Sequence, residues 1–130
     1  MKKLILLLIV VLFSQNSFSQ KSDLLNDIQK KIYDNEDVQV RAEFSKGEIK
    51  FNEFVLENFK KTFNKNIESE ILVSFIVEID GTISNAEIIK GTVNVTKDEI
   101  KTVFTNSPKW LPAEHEGYRV KAKVKFSLKP

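Results

Sequence analysis

The sequence predicts an α+β domain, an antiparallel sheet of three to four strands with two helices packed on one face. Three patterns carry this expectation. Ile71, Val73, Phe75, Val77 and Ile79 alternate with other residues at the period of a strand with one buried face. Phe51, Phe54, Val55, Phe59 and Phe63 recur at helical spacing, with Lys and Glu filling the other side. Tyr118, Val120, Ala122, Val124, Phe126 and Leu128 alternate with Arg119, Lys121, Lys123 and Lys125, the most regular strand pattern in the chain.

The remaining elements fall between these three. Leu24, Leu25, Ile28 and Ile32 have helical spacing, so a short helix is expected in a polar segment over residues 20–37. Val38, Val40 and Ala42 suggest a short strand, and Gly47 a break after it. The Phe-striped helix is expected to end at Asn64-Lys65-Asn66. Asp80-Gly81 reads as a two-residue hairpin turn, because both residues tolerate positive φ. Turn chemistry accounts for Asp80 better than a catalytic role does. The return strand carries Ile83, Ala86 and Ile88, and the slipped spacing predicts a bulge near Ser84-Asn85. Thr96 and Glu99 have the spacing of a capping box, and Val95 with Ile100 that of a hydrophobic staple. That helix should bury Ile100, Val103 and Phe104 and stop at Pro108. Trp110 is then expected to pack between it and the sheet. Pro112 lies in the same apolar connection, and Gly117 in the polar loop that follows.

Composition narrows the chemistry. The chain has 130 residues, the length of one domain. Of 20 basic residues, Lys2 and Lys3 precede an apolar run; the 18 others equal the 18 acidic ones. A chain neutral beyond its N-terminus argues against nucleic acid as partner, since phosphate binding needs surplus Lys and Arg. There is no Cys, hence no disulfide framework, thiolate metal site or thiol nucleophile. The single His, His115, lies between Glu114 and Glu116, but neighbouring loop residues are a weak metal pattern and a solvated His explains it better. With no nucleophile–base pair and no Gly-rich phosphate loop, neither an enzyme nor a cofactor is expected.

The N-terminus reads as a targeting segment. Lys2-Lys3, the apolar run Leu4–Phe13 and the small residues Ser17 and Ser19 form the pattern of a signal peptide over residues 1–19, cut before Gln20. An apolar helix of about ten residues spans roughly 15 Å, half a hydrocarbon core, so a spanning helix is disfavoured, and once the segment is cut no membrane insertion is expected. Retention of the segment would instead leave an inner-membrane anchor.

Several of these residues together resemble the TonB C-terminal domain family. The resemblance covers residues 38–130. It rests on Phe44 with Gly47, the strand Val73-Ser74-Phe75-Ile76-Val77, Asp80-Gly81, the run Pro108-Lys109-Trp110-Leu111-Pro112-Ala113, and Gly117 ahead of Val120. It implies two helices on one face of an antiparallel sheet and a periplasmic location. It further implies a binding role: the last strand would be an edge that takes up an extended, TonB-box-like segment of an outer-membrane transport receptor by strand addition. The residues implicated are Tyr118, Arg119, Val120, Lys121, Ala122, Lys123, Val124, Lys125 and Phe126, with Asp80, Gly81, Trp110, Pro112 and Gly117 as structural positions. The sequence departs from full-length energy transducers in having prolines only from Pro108 onward, so no proline-rich spacer is present. The expectation is therefore a stand-alone binding module. The alternatives are a membrane-anchored transducer and a structural domain that pairs with a second copy of itself or with another protein.

Overall fold

A computed structural model describes residues 21–91 and 94–130. The expected signal segment over 1–19 and its cleavage point lie outside the described residues. The chain divides into two compact units, Met1–Lys31 and Ile32–Pro130. In the first, a helix runs over 21–30 (α1).

In the second unit the elements are β1 (Ile32–Asp34), α2 (Glu48–Phe63), β2 (Ile71–Val77), β3 (Ile83–Lys90), α3 (Lys97–Thr105), β4 (Ala113–His115) and β5 (Tyr118–Leu128). The strands form one five-stranded mixed sheet in the order β1-β5-β2-β3, with β4 also paired to β5. β1 runs parallel to β5, whereas β2–β3, β2–β5 and β4–β5 are antiparallel.

The expected fold class is thereby corrected. The described residues hold three helices and a five-stranded mixed sheet, not two helices on an antiparallel sheet of three or four strands. Two short strands make the difference. Ile32, read as the last apolar position of the first helix, instead opens β1, whose pairing partners lie some ninety residues on at Lys121–Lys123. Ala113–His115, read as connection and loop, is the first arm of a hairpin with β5. Three residues are too few to show a period of two. Residues 38–43 form no strand; Val40 and Glu43 make isolated bridges to Glu114 and Leu111. Pro112 stands between those bridges without an N–H to give. The Ala42 N–H and C=O bond instead to the Asn35 side chain, at 2.8 and 3.1 Å.

The two helices of this unit form as their patterns require. α2 buries Phe51, Val55 and Phe59 and ends at Asn64, whose left-handed backbone (φ 51°) closes the last turn. α3 carries the expected capping box: the Thr96 hydroxyl accepts from the Glu99 N–H at 3.2 Å, and the Thr96 N–H donates back to Glu99 Oε1. Both pack on the sheet face formed by Val73, Phe75 and Val77 of β2 and Val124 and Phe126 of β5. Phe51 is fully buried, with the rings of Trp110, Phe126, Phe44 and Phe104 at 4.8, 5.0, 5.2 and 5.7 Å between centroids. Trp110 packs against α2, through Phe51, and against Phe75 of the sheet at 5.2 Å, so its ring contacts join α2 to the sheet.

The turns follow the residues that make them. The expected two-residue turn at Asp80-Gly81 is a three-residue loop. Glu78 and Thr82 close it through the Glu78 N–H to Thr82 O at 2.8 Å, and Gly81 takes φ +85°. The β3 bulge falls where the slipped spacing put it: Ser74 pairs with Glu87 and Ile76 with Ser84, while Asn85 adopts φ 50°. Between β4 and β5, Glu116 and Gly117 both have positive φ, 51° and 81°, the requirement of a tight primed turn.

Candidate functional site: an open length of the β5 edge

The expected binding edge, Tyr118–Phe126, is not an edge along its whole length. Tyr118, Arg119 and Val120 pair with His115, Glu114 and Ala113 of β4. Lys121, Ala122 and Lys123 pair with β1, and Ala122 and Lys123 also pair with Val77 and Ile76 of β2. β5 is thus central in the sheet order, a place that its row of exposed lysines did not suggest. Beyond Lys123 the situation changes. β2 continues along one side through Leu128, but β1 has ended, and no described strand follows it on the other side.

Backbone direction decides which groups that gap exposes. The Lys123 carbonyl accepts the Asn35 N–H at 3.0 Å, so the backbone groups of Lys123 face the β1 side. Alternation along the strand turns those of Lys125, Ser127 and Lys129 the same way, and those of Val124, Phe126 and Leu128 toward β2. At the far end, the Asn52 side chain of α2 stands in for a neighbouring strand. Its amide donates to the Lys129 carbonyl at 2.7 Å and its oxygen accepts the Lys129 N–H at 2.8 Å. The N–H and C=O groups of Lys125 and Ser127 remain, and among the described residues none of these four has a hydrogen-bond partner. They form an open length of edge, bounded by Asn35 and Asn52.

Two surface grooves run along this edge. One, of about 500 Å³, has Phe44, Glu43, Glu48 and Trp110 on its wall and Val124, Lys125 and Phe126 along its strand side. The other, of about 530 Å³, has Ile49 and Asn52 of α2 facing Lys125, Phe126 and Ser127. Ile49 is 78% exposed, the most exposed large apolar side chain among the described residues. Phe126 and Val124 turn toward the helices, so the side chains of Lys123 and Lys125 project from the opposite face. Lys121, the third lysine of the row, lies 3.6 Å from Glu78.

The other singled-out residues serve structure. Asp80 Oδ1 accepts the Thr82 hydroxyl at 2.6 Å and the Thr82 N–H at 3.0 Å. These bonds, the hydroxyl's first, hold its carboxyl below the usual range. The Gly81 carbonyl accepts the Trp110 N–H at 2.8 Å and so ties the β2–β3 loop to the apolar connection. His115 faces the Tyr33 ring, with centroids 5.1 Å apart. Among the described residues no group of three His, Cys, Asp or Glu side chains could hold a metal ion, and no helix is long and apolar enough to cross a membrane.

Sequence reasoning missed Glu43, Glu48, Ile49, Asn52 and Ser127. The exposed Ile49 on the polar side of an otherwise well-striped helix was the one signal available. The second unit carries a mixed sheet that leaves a short length of β5 open beside α2. No family model matches the chain, and no curated protein or solved structure matches it.

Proposed function

We propose that this chain is a peptide-binding module, which takes up a short extended segment by strand addition at Lys125–Ser127. The open backbone groups of Lys125 and Ser127, held between two closed ends, carry the reading. Four free main-chain groups in a row are what an added strand needs, and grooves beside an edge are where its side chains lodge. The guest continues the line of β1 along β5. The partner is an outer-membrane transport receptor that presents a TonB-box-like segment, and the location is the periplasm. These two statements draw support from the ordered motif set over residues 38–130 and from the signal-like pattern of residues 1–19.

Photo-crosslinking tests the reading. A crosslinkable residue at Ser127, in the full chain mixed with outer-membrane fragments, should label an extended receptor segment, and Lys125→Pro should abolish that labelling. Equal labelling from Glu87 on β3, or labelling that survives Lys125→Pro, contradicts strand addition at this edge. Intact mass of the native protein tests the location: a chain beginning at Gln20 agrees with it, and one that keeps Met1 and sediments with inner membrane contradicts it.

A further inference from the structure

Resting on the strand-addition reading, we infer that the guest is a segment of alternating charge, with cationic side chains toward α2 and anionic side chains on the opposite face. From Lys123 to Phe126 the two faces of the edge differ in sign. Toward the helices a guest side chain enters the grooves beside Glu43 and Glu48, between Phe44 and the exposed Ile49. Glu48 lines both grooves. Among the described residues neither Glu43 nor Glu48 has an ion-pair partner, whereas the nearby Glu36 and Glu53 are occupied by Arg41 at 2.7 Å and Lys50 at 3.1 Å. Apolar walls beside two unpaired carboxylates suit the long stem and charged head of Lys or Arg.

The opposite face carries Lys123 and Lys125, both exposed and, among the described residues, without ion-pair partners; the cationic stretch ends at Ser127, whose hydroxyl bonds the Glu70 carboxylate. Residues opposite one another on adjacent strands share a face, with Cβ atoms about 5 Å apart. A guest residue level with Lys125 therefore meets ammonium groups, and its neighbour in sequence, level with Phe126, meets Glu48. The strand period of two converts this two-sided field into an alternating code. A peptide with the same charges in blocks must place a like charge on one face, which costs affinity. The match sets the register of the guest as well as its strength, because a slip of one residue inverts every pair.

Three capped pentapeptides titrated into the full chain separate this inference from the reading beneath it. They are Glu-Arg-Glu-Arg-Glu, its permutation Glu-Glu-Glu-Arg-Arg, and the neutral Thr-Val-Thr-Val-Thr. The alternating peptide should bind about tenfold more tightly than the other two at low salt, and all three should shift the Lys125 and Ser127 amides. Glu43→Gln combined with Glu48→Gln should reduce that advantage to less than about threefold. Glu57→Gln, on the same helix and away from both grooves, should leave it intact. If the neutral peptide shifts those amides while the alternating and permuted peptides bind equally, the charge code is wrong and strand addition stands. An advantage unchanged in the double variant also overturns the code. If no peptide shifts Lys125 or Ser127, both readings fall.

Discussion

At Gly81 the backbone stands at φ +85° and the carbonyl accepts the Trp110 N–H at 2.8 Å. A Cβ added there would overlap the Trp110 carbonyl oxygen. Gly81→Ala should therefore cost more than about 1 kcal/mol, read from the urea midpoint, since both the dihedral and the close approach oppose a side chain. Trp110 itself is 5% exposed and touches Phe44, Phe51 and Phe75. Trp110→Ala should cost about 3–5 kcal/mol, and an unchanged midpoint would show that the ring is not part of the core. Glu99 carries a pH dependence. The Lys65 ammonium, 2.7 Å from its Oε1, comes first among the causes that hold its carboxyl below the usual range. A lowered folded-state pKa means that the stabilisation is fully present above the ordinary carboxylate value and is lost as pH falls through the lowered one. Unfolding stability should thus decline on acidification below about pH 4. Glu99→Gln should flatten that decline, and an identical slope in the variant would contradict the assignment.

Among the elements, α3 depends most on its cap. Nine residues make a marginal helix, so packing through Ile100, Val103 and Phe104 and the box at Thr96 must hold it. Thr96→Ala should cost about 1 kcal/mol by urea denaturation. β5 allows a sharper comparison. Lys125→Pro removes an N–H that faces the open side and should move the urea midpoint little. Phe126→Pro removes an N–H directed at β2 together with a ring packed on Phe51, and should cost at least about 3 kcal/mol. Comparable losses in the two variants would mean that the Lys125 N–H is already bonded.

Across the whole molecule, legibility followed element length. The stripe of α2, the alternation of β2 and β5, the β3 bulge and the Thr96 box were all readable, because each repeats a local period or a local bond. β1 and β4 were not, since three-residue strands have no period and β1 pairs with residues far along the chain. Their absence from the sequence reading also hid the pairing of Tyr118–Lys123. Regular alternation with exposed lysines resembled an edge over Tyr118–Phe126, but the lysine row reports only which face is solvated, not whether a neighbouring strand is present. The open length could be found only once β1 was known to stop at Asp34 and Asn52 to seal Lys129.

The central claim is that Lys125 and Ser127 present unbonded backbone groups in the free protein, and amide hydrogen exchange of the full chain without peptide reads this directly. The amides of Lys125 and Ser127 should exchange rapidly, while those of Val124 and Phe126, bonded to β2 in the same strand, exchange slowly. Saturation with a bound peptide should then protect the first pair. Slow exchange at Lys125 and Ser127 before any peptide is added, matching that of Phe126, would contradict the account.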